Sequence, residues 1–351
     1  MFVKKVWECG NNFFKTKDIN SRLVYGSINE NADFTLAIPI YGIGRYLEET
    51  LKNISELDTC GLCIQIIISD NKPNEEIGKF IDILEKYGLQ NIAYYLSDAS
   101  LGQLGNFNRC IELTQTEYLC LLHDDDLLVK NYYQIVNVLL PKLKSSPTIG
   151  LIQGGRITFN QAVEIGTTPI IRLYKVTRLM ITAAGYSMGE IPSCGMIINK
   201  RAAVEAGGFN DDYPSSGDAF LVLQMMAKGY SFYKSKDIFG YYRIGDNISL
   251  KLDICKGFIQ QDYAFLESWA SLGGIQSVYC KYLMNYFYSR NIDNKVKTFG
   301  KYNSDIRIEN LDFMNSYKKY SKYCIKNIVH SIAGKLVGLY KLLSTETFDL
   351  E

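Results

Sequence analysis

The sequence predicts an α/β chain built on a mostly parallel sheet with helices on both faces. Two observations carry this. Short, continuously apolar runs alternate with amphipathic stretches from residue 34 to about residue 144. Two of the apolar runs end in acidic residues, the place where open α/β sheets bind ligands.

The elements come in this order. Residues 1–32 are polar and irregular and read as an N-terminal extension packed on the rest of the chain. "FTLAIPIY" is short and apolar, a strand that Pro39 is expected to end. "RYLEETLKNISEL" places apolar residues at helical spacing. "CIQIIISDN" is a buried type of strand ending in Asp70 and Asn71. "NEEIGKFIDILEKYG" is an amphipathic helix closed by Gly88. "NIAYYLSD" is a strand, "GQLGNFNRCIELTQ" a helix, and "EYLCLLH" a strand that delivers Asp124, Asp125 and Asp126. "LLVKNYYQIVNVLLPKLK" reads as helical from Leu127. Further on, "SCGMIINKRAAVEAGGF" reads as a strand and short helix, "SGDAFLVLQMMAKG" as a helix, and "YSFYKSKD" as a strand. From about Leu252 to the end the pattern is helical throughout. The domain reading is an extension at 1–32, a catalytic unit at 33–250 and a helical region at 251–351.

Composition narrows the function classes. A chain of 351 residues with 47% hydrophobic and 21% charged residues is globular rather than disordered. A net charge of +1 offers no field that selects nucleic acid. The start lacks a continuous apolar core and the nine cysteines are scattered, so a reduced, cytoplasmic location is expected. Cys60 and Cys63 form one C-x-x-C, but zinc would need a second pair or histidines, and the chain has only His123 and His330. The same shortage disfavours a Ser-His-Asp triad.

"LLHDDDLL" holds the strongest chemical signal. Adjacent carboxylates repel, and taking them out of water is costly unless something positive sits on them. One reading is a helix start, with Asp126 as cap and Asp124 and Asp125 on the dipole. The other is a Mg²⁺ or Mn²⁺ site, because these ions take carboxylates together with substrate phosphates. "SDNKPNEE" is a turn by composition, though a strand-end aspartate also suits a base or ribose. "SLGQLGNFNRC" is a glycine-containing helix start. Gly42 and Gly44 follow the first strand, but Leu47 breaks a dinucleotide fingerprint and no P-loop pattern is present. Asp218, at a helix start in "SSGDAFL", is either a cap or a general base.

In this order the blocks "FTLAIPIYG…LEETLKNI", "IIISDNKPNEE", "LGNFNRCIE…EYLCLLHDDDLL", "GGFND…SGDAFLVLQMMAKG" and "YYRIGDNISL" resemble a family 2 glycosyltransferase with the GT-A fold, over roughly residues 33–250. The resemblance implies an inverting, metal-dependent transfer from a nucleotide-sugar donor, UDP-linked, to a glycan or lipid-linked glycan in bacterial surface polysaccharide synthesis. It puts Pro39, Tyr41, Asp70, Asn106, Asp124 and Arg243 around the nucleotide sugar. It makes Asp125 and Asp126 the ligands of Mn²⁺ or Mg²⁺, with Asp125 favoured, and Asp218 the catalytic base. Two departures stand out. Gly217 replaces the acid that usually precedes the base, and "YYRIGDN" lacks the histidine that often follows the arginine. They keep open a GT-A-like binding protein without turnover. A nucleotidyltransferase, which would release pyrophosphate, is the other alternative.

The segment 315–345 has six lysines and no acid. Ile325, Ile328, Val329, Ile332, Leu336, Leu339, Tyr340 and Leu343 fall on one helical stripe. Such a helix either lies on an anionic membrane, as a peripheral contact on its inner face, or packs on the catalytic domain or on another subunit of a homo-oligomer.

Overall fold

The computed structural model describes residues 4–72, 77–177, 180–181, 193–244, 250–311, 317–321 and 324–350, apart from the side chains of 275 and 276. The end of "SDNKPNEE" (73–76), the "GDNIS" stretch (245–249) and residues 315, 316, 322 and 323 of the basic segment lie outside the described residues.

The first half alternates as expected. Its elements are β1 (Ser21–Gly26), β2 (Phe34–Ile40), α1 (Leu47–Ser55), β3 (Ile64–Asp70), α2 (Ile77–Tyr87), β4 (Ile92–Ser97), α3 (Gly102–Leu113) and β5 (Tyr118–Leu121). Then come β6 (Leu127–Leu128), α4 (Tyr132–Ser145), β7 (Ile149–Phe159), β8 (Ile170–Val176) and β9 (Ile197–Asn199). The remainder is α5 (Lys200–Glu205), α6 (Gly217–Ala227), β10 (Ser231–Arg243), α7 (Leu252–Ala270), α8 (Gly274–Phe299), α9 (Ile325–Leu343) and β11 (Glu346–Asp349). Among the described residues these strands form one sheet in the order β1-β4-β3-β2-β5-β9-β7-β10-β8-β11, with β6 paired to β10.

Neighbours β4, β3, β2 and β5 are parallel, as are β7 and β10. The other pairs are antiparallel. Every residue of β2 and β3 is buried, which explains their unbroken apolar runs. One apolar layer packs α3, α5, α6, α7 and α8 on one face of the sheet. The other packs α1, α2 and α4 on the opposite face. After β2 the chain builds β3 and β4 to one side, then returns through α3 to β5 on the other. The strand order therefore reverses at β2, which puts at the carboxyl ends of β2, β3 and β5 the switch point where such sheets form a ligand crevice.

Several expectations are corrected. Pro39 does not end β2; the strand continues to Ile40. The β2–β5 register ends at Ala37 and Leu121, so a residue without an N–H is accommodated beyond it. Residues 1–32 are not all irregular, because β1 joins the sheet beside β4. Helix α4 starts at Tyr132 rather than Leu127. Leu127 and Leu128 instead pair with Tyr241 and Gly240, and the Asn53 side chain exchanges two hydrogen bonds with the Leu128 backbone. The C-terminus is not helical to the end. β11 pairs antiparallel with β8, and Glu346 bridges to Lys142 at 2.6 Å. The extension does pack on later elements of the chain: the Val6 N–H donates to Ser268 Oγ at 2.9 Å, and Gln224 donates to the Val6 carbonyl at 2.7 Å.

Gly154 shows how closely β7 and β10 are packed. A Cβ there would lie 2.0 Å from the Phe239 ring. Gly154→Ala is expected to destabilise the protein by roughly 1–3 kcal/mol, the usual cost of overpacking. It should appear as a lower urea midpoint.

Candidate active site

The crevice gathers three loops. The first follows β3. Asp70 is fully buried, and burial raises its pKa above the ordinary value. Its Oδ1 accepts from the backbone N–H groups of Gly42 and Lys72, each at 2.9 Å, and its Oδ2 from the Tyr94 hydroxyl at 2.9 Å. Gly42 has φ +70°, a conformation costly for other residues. Asp70 thus fixes the turn after β2. Tyr41, at the mouth, is 64% exposed, with Lys72 Nζ 5.7 Å from its ring centre. Pro39 is buried in β2.

The resemblance puts Asn106 at the nucleotide sugar, and the structure gives its side chain another task. Its amide donates to the carbonyls of Ile40 and Ser69, at 3.1 and 3.0 Å, and its oxygen accepts from the Ser69 hydroxyl at 2.7 Å. It is buried and staples the ends of β2 and β3 together.

The second loop is the aspartate turn between β5 and β6. The Thr50 hydroxyl reaches the carbonyls of Asp124 and Asp126 at 3.1 and 3.0 Å. Asp124 lies against Gly44, where a Cβ would come within 2.8 Å of its Oδ2. Burial, then Asp125, pushes the Asp124 carboxyl up to about 6. Asp126 is fully buried, and burial followed by Asp125 raises its pKa as well. Its Oδ1 accepts from the Arg243 N–H at 3.0 Å, while Oδ2 has no partner.

Arg243, which the resemblance puts at the nucleotide sugar, grips the aspartate turn in this structure. Its guanidinium is buried between the rings of Tyr46 and Phe159, at 4.1 and 4.3 Å. Nε donates to the Asp125 carbonyl at 3.0 Å, and Nη2 meets Glu49 at 2.6 Å. All of this grips the aspartate turn.

The third component is the start of α6. Asp218 is half-buried, and burial raises its pKa, opposed by His123, Ser193 and Arg156. At Gly217 a Cβ would lie 3.0 Å from Leu104 and 3.2 Å from Phe209, a tight fit that a larger side chain would need these neighbours to relieve. The nearby carboxylates of Asp211 and Asp212 are engaged elsewhere, Asp211 with Lys15 and Asp212 with Lys4.

His123 completes the cluster. Its ring stacks on Phe107 at 5.2 Å, and Nε2 lies 3.3 Å from Ser193 Oγ. Burial lowers its pKa, but Asp126, Asp218, Asp125 and Asp124 together carry it above the ordinary value. Ligand atoms of His123, Asp125 and Asp126 all lie within 4.8 Å of one another. Two carboxylates and one imidazole, with the buried orphan Oδ2 of Asp126, fit a divalent cation. Mg²⁺ prefers oxygen alone, so the set suits Mn²⁺ better. His123 is not among the expected ligands, although its place in "HDDD" was the available signal.

Residues 35–205 match the family described as glycosyl transferase family 2. These residues belong to that family. The chain is 30% identical over 106 residues to the abequosyltransferase RfbV of Salmonella typhimurium, a match covering 30% of this chain and 32% of the relative. The matched region is therefore about a third of that relative's length. TarS 1–349 of S. aureus, in complex with UDP-GlcNAc, superposes with a TM-score of 0.55 at 13% identity, over 89% of this chain and 90% of that one. The Pyrobaculum calidifontis mannosyltransferase PcManGT, in complex with GDP-Man and Mn²⁺, superposes with a TM-score of 0.51 at 12% identity, over 90% and 89%. The chain shares the GT-A fold with TarS and PcManGT.

Asn106→Ala removes the staple between β2 and β3. It is expected to destabilise the protein by roughly 1–3 kcal/mol through unpaired buried carbonyls. Urea unfolding beside a nucleotide titration checks this: full stability with lost nucleotide affinity would instead mark Asn106 as a direct contact.

Proposed function

We propose that the glycosyltransferase moves a sugar from a nucleoside diphosphate sugar to a hydroxyl of a glycan acceptor, with inversion, in surface polysaccharide synthesis. The observation that carries this is the convergence of His123, Asp125 and Asp126 at the crevice, with Asp218 acting on His123 from the facing helix. The catalytic unit is residues 33–250, although strands from both flanks extend its sheet. A UDP-linked donor is the reading that accords with the UDP-GlcNAc held by TarS. Polysaccharide synthesis accords with the abequosyltransferase relative.

The roles derive from position. The base stacks near Tyr41, the exposed side chain at the mouth, beside the turn that Pro39 and Asp70 shape. Asp124 faces the ribose. His123, Asp125 and Asp126 would hold Mn²⁺ or Mg²⁺, with Asp125 the most accessible carboxylate of the pair. When bound, the cation supplies Lewis-acid neutralisation of the leaving diphosphate. Asp218 takes the proton of the acceptor hydroxyl, which attacks the anomeric carbon from the face opposite the diphosphate. Ser193 and Arg156, beside Asp218, favour its ionised form. Arg243 and Asn106 act through the backbone they hold.

A panel of nucleotide sugars with Mn²⁺, scored for free nucleoside diphosphate, tests the reaction class; pyrophosphate release instead would mark a nucleotidyltransferase. Asp218→Asn should fold and bind donor but lose roughly 10²–10⁴ in transfer rate, the contribution of a positioned base. A fall of less than about tenfold would leave Asp218 a helix cap. Asp125→Ala should abolish metal-dependent transfer at unchanged stability, and full activity in that variant would sink its assignment as ligand.

A further inference from the structure

Helix α9 lies flat on the protein body with an apolar ridge turned outward. Its inner side is seated. Val329 and Val337 pack on the apolar layer beneath, and the His330 ring lies 5.7 and 5.4 Å from those of Tyr286 and Phe287. Ile325, Ile328, Ile332, Leu336, Leu339 and Leu343 fall on the opposite side at helical spacing and are between 50% and 78% exposed. Most of the stripe expected from the sequence is thus uncovered along the helix, a length of roughly 28 Å. The start of α8 continues it. Val278 is 67% and Tyr282 48% exposed, and the Tyr282 ring lies 5.2 Å from Lys326 Nζ, which joins the two helices. An apolar surface of this extent on a globular fold marks a docking face.

Charge tells what covers this face. Residues 268–292 and 317–345, which hold the start of α8 and all of α9, contain eight basic residues and no acid, whereas the whole chain is only +1. Lys326 and Lys341 lie over tyrosine rings, at 5.2 Å from Tyr282 and 4.8 Å from Tyr174. Lys281, Lys318, Lys319 and Lys335 are exposed. A second copy of the chain fits this face poorly. A two-fold contact covering the whole ridge has its axis near Gly334, the midpoint of α9. It would set Lys335 against its own equivalent, with no acid on either helix to pair it. An anionic bilayer fits both features. The ridge enters the acyl boundary, while the stem of Lys335 follows it and the ammonium reaches the lipid phosphates. No helix of the described residues is long and apolar enough to cross a membrane.

We propose that α9, with the adjoining start of α8, docks the protein on the surface of an anionic phospholipid bilayer. The helix is fixed to the body at both ends. The Tyr286 hydroxyl donates to Asn327 Oδ1 at 2.7 Å near its start, and β11, which follows it, pairs with β8. Docking through α9 therefore sets the orientation of the whole sheet to the bilayer, rather than tethering it through a loose arm. The inference is independent of the transfer reaction proposed above, because it involves neither donor nor cation.

The test is flotation of the full chain with vesicles of phosphatidylcholine alone or of phosphatidylcholine with phosphatidylglycerol, beside sedimentation equilibrium without lipid. A monomer that floats with the phosphatidylglycerol vesicles only, and less at high salt, is expected. Lys318→Gln/Lys319→Gln/Lys335→Gln should weaken vesicle binding roughly a hundredfold, near fivefold per lysine. Ile332→Gln/Leu336→Gln, on exposed positions, should abolish flotation with the urea midpoint unchanged, so that loss of binding is not loss of the fold. Equal flotation on pure phosphatidylcholine, or none on either vesicle, would overturn the proposal. So would flotation that survives the ridge changes, or a dimer that those changes dissociate, which would make a second copy the occupant of the ridge.

Discussion

The candidate site depends on the way Arg243 holds the aspartate turn. Its backbone N–H engages the Asp126 carboxylate, and its guanidinium engages the Asp125 carbonyl and Glu49. It thereby ties the last residue of β10 to a turn 117 residues earlier in the chain and to α1. Tyr46 and Phe159 hold the guanidinium plane between them. A planar, always-charged group suits this task; a lysine could not satisfy the same partners. Thr50 grips the turn from the other side. With the backbone held at both ends, the side chains of Asp125 and Asp126 are left to converge with His123.

That convergence is electrostatically unfavourable on its own. Burial raises the pKa of Asp124, Asp126 and Asp218 together, and the same carboxylates raise that of His123. Arg243 does not cancel the charge, because its guanidinium faces a carbonyl and Glu49. The fold thus gives up stability to keep acidic groups close, which is typical of sites built for a positive or proton-transferring partner. Arg156 lies close enough to favour the ionised forms of Asp218 and Asp126.

Much of the central sheet was legible because its strands are buried on both faces and read as unbroken apolar runs. The amphipathic helices between them repeat at 3.6 residues. Strands β1 and β11 were not legible. "SRLVYG" and "ETFD" are short and largely exposed edge strands, and only pairing with distant partners defines them. β6 is two residues long, and nothing local separates it from the helix that comes next. In the site, the acidic turn could be read from "HDDD", since carboxylates at a strand end need a reason. The tasks of Asn106 and Arg243 could not, because they depend on which backbone atoms lie opposite, at separations of 37 and 117 residues. The tight space at Gly217, beside Leu104 and Phe209, was likewise not legible.

We propose that Arg243 organises the candidate cation ligands through the backbone of the aspartate turn. The most direct measurement is Mn²⁺ affinity in Arg243→Met, read from the electron paramagnetic resonance signal of free Mn²⁺ in the absence of nucleotide. The methionine keeps the apolar stem between Tyr46 and Phe159 and removes the hydrogen bonds. Affinity roughly ten- to a hundredfold weaker is expected, the usual effect of losing a group that orients metal ligands. Wild-type Mn²⁺ affinity in the folded variant would contradict the claim.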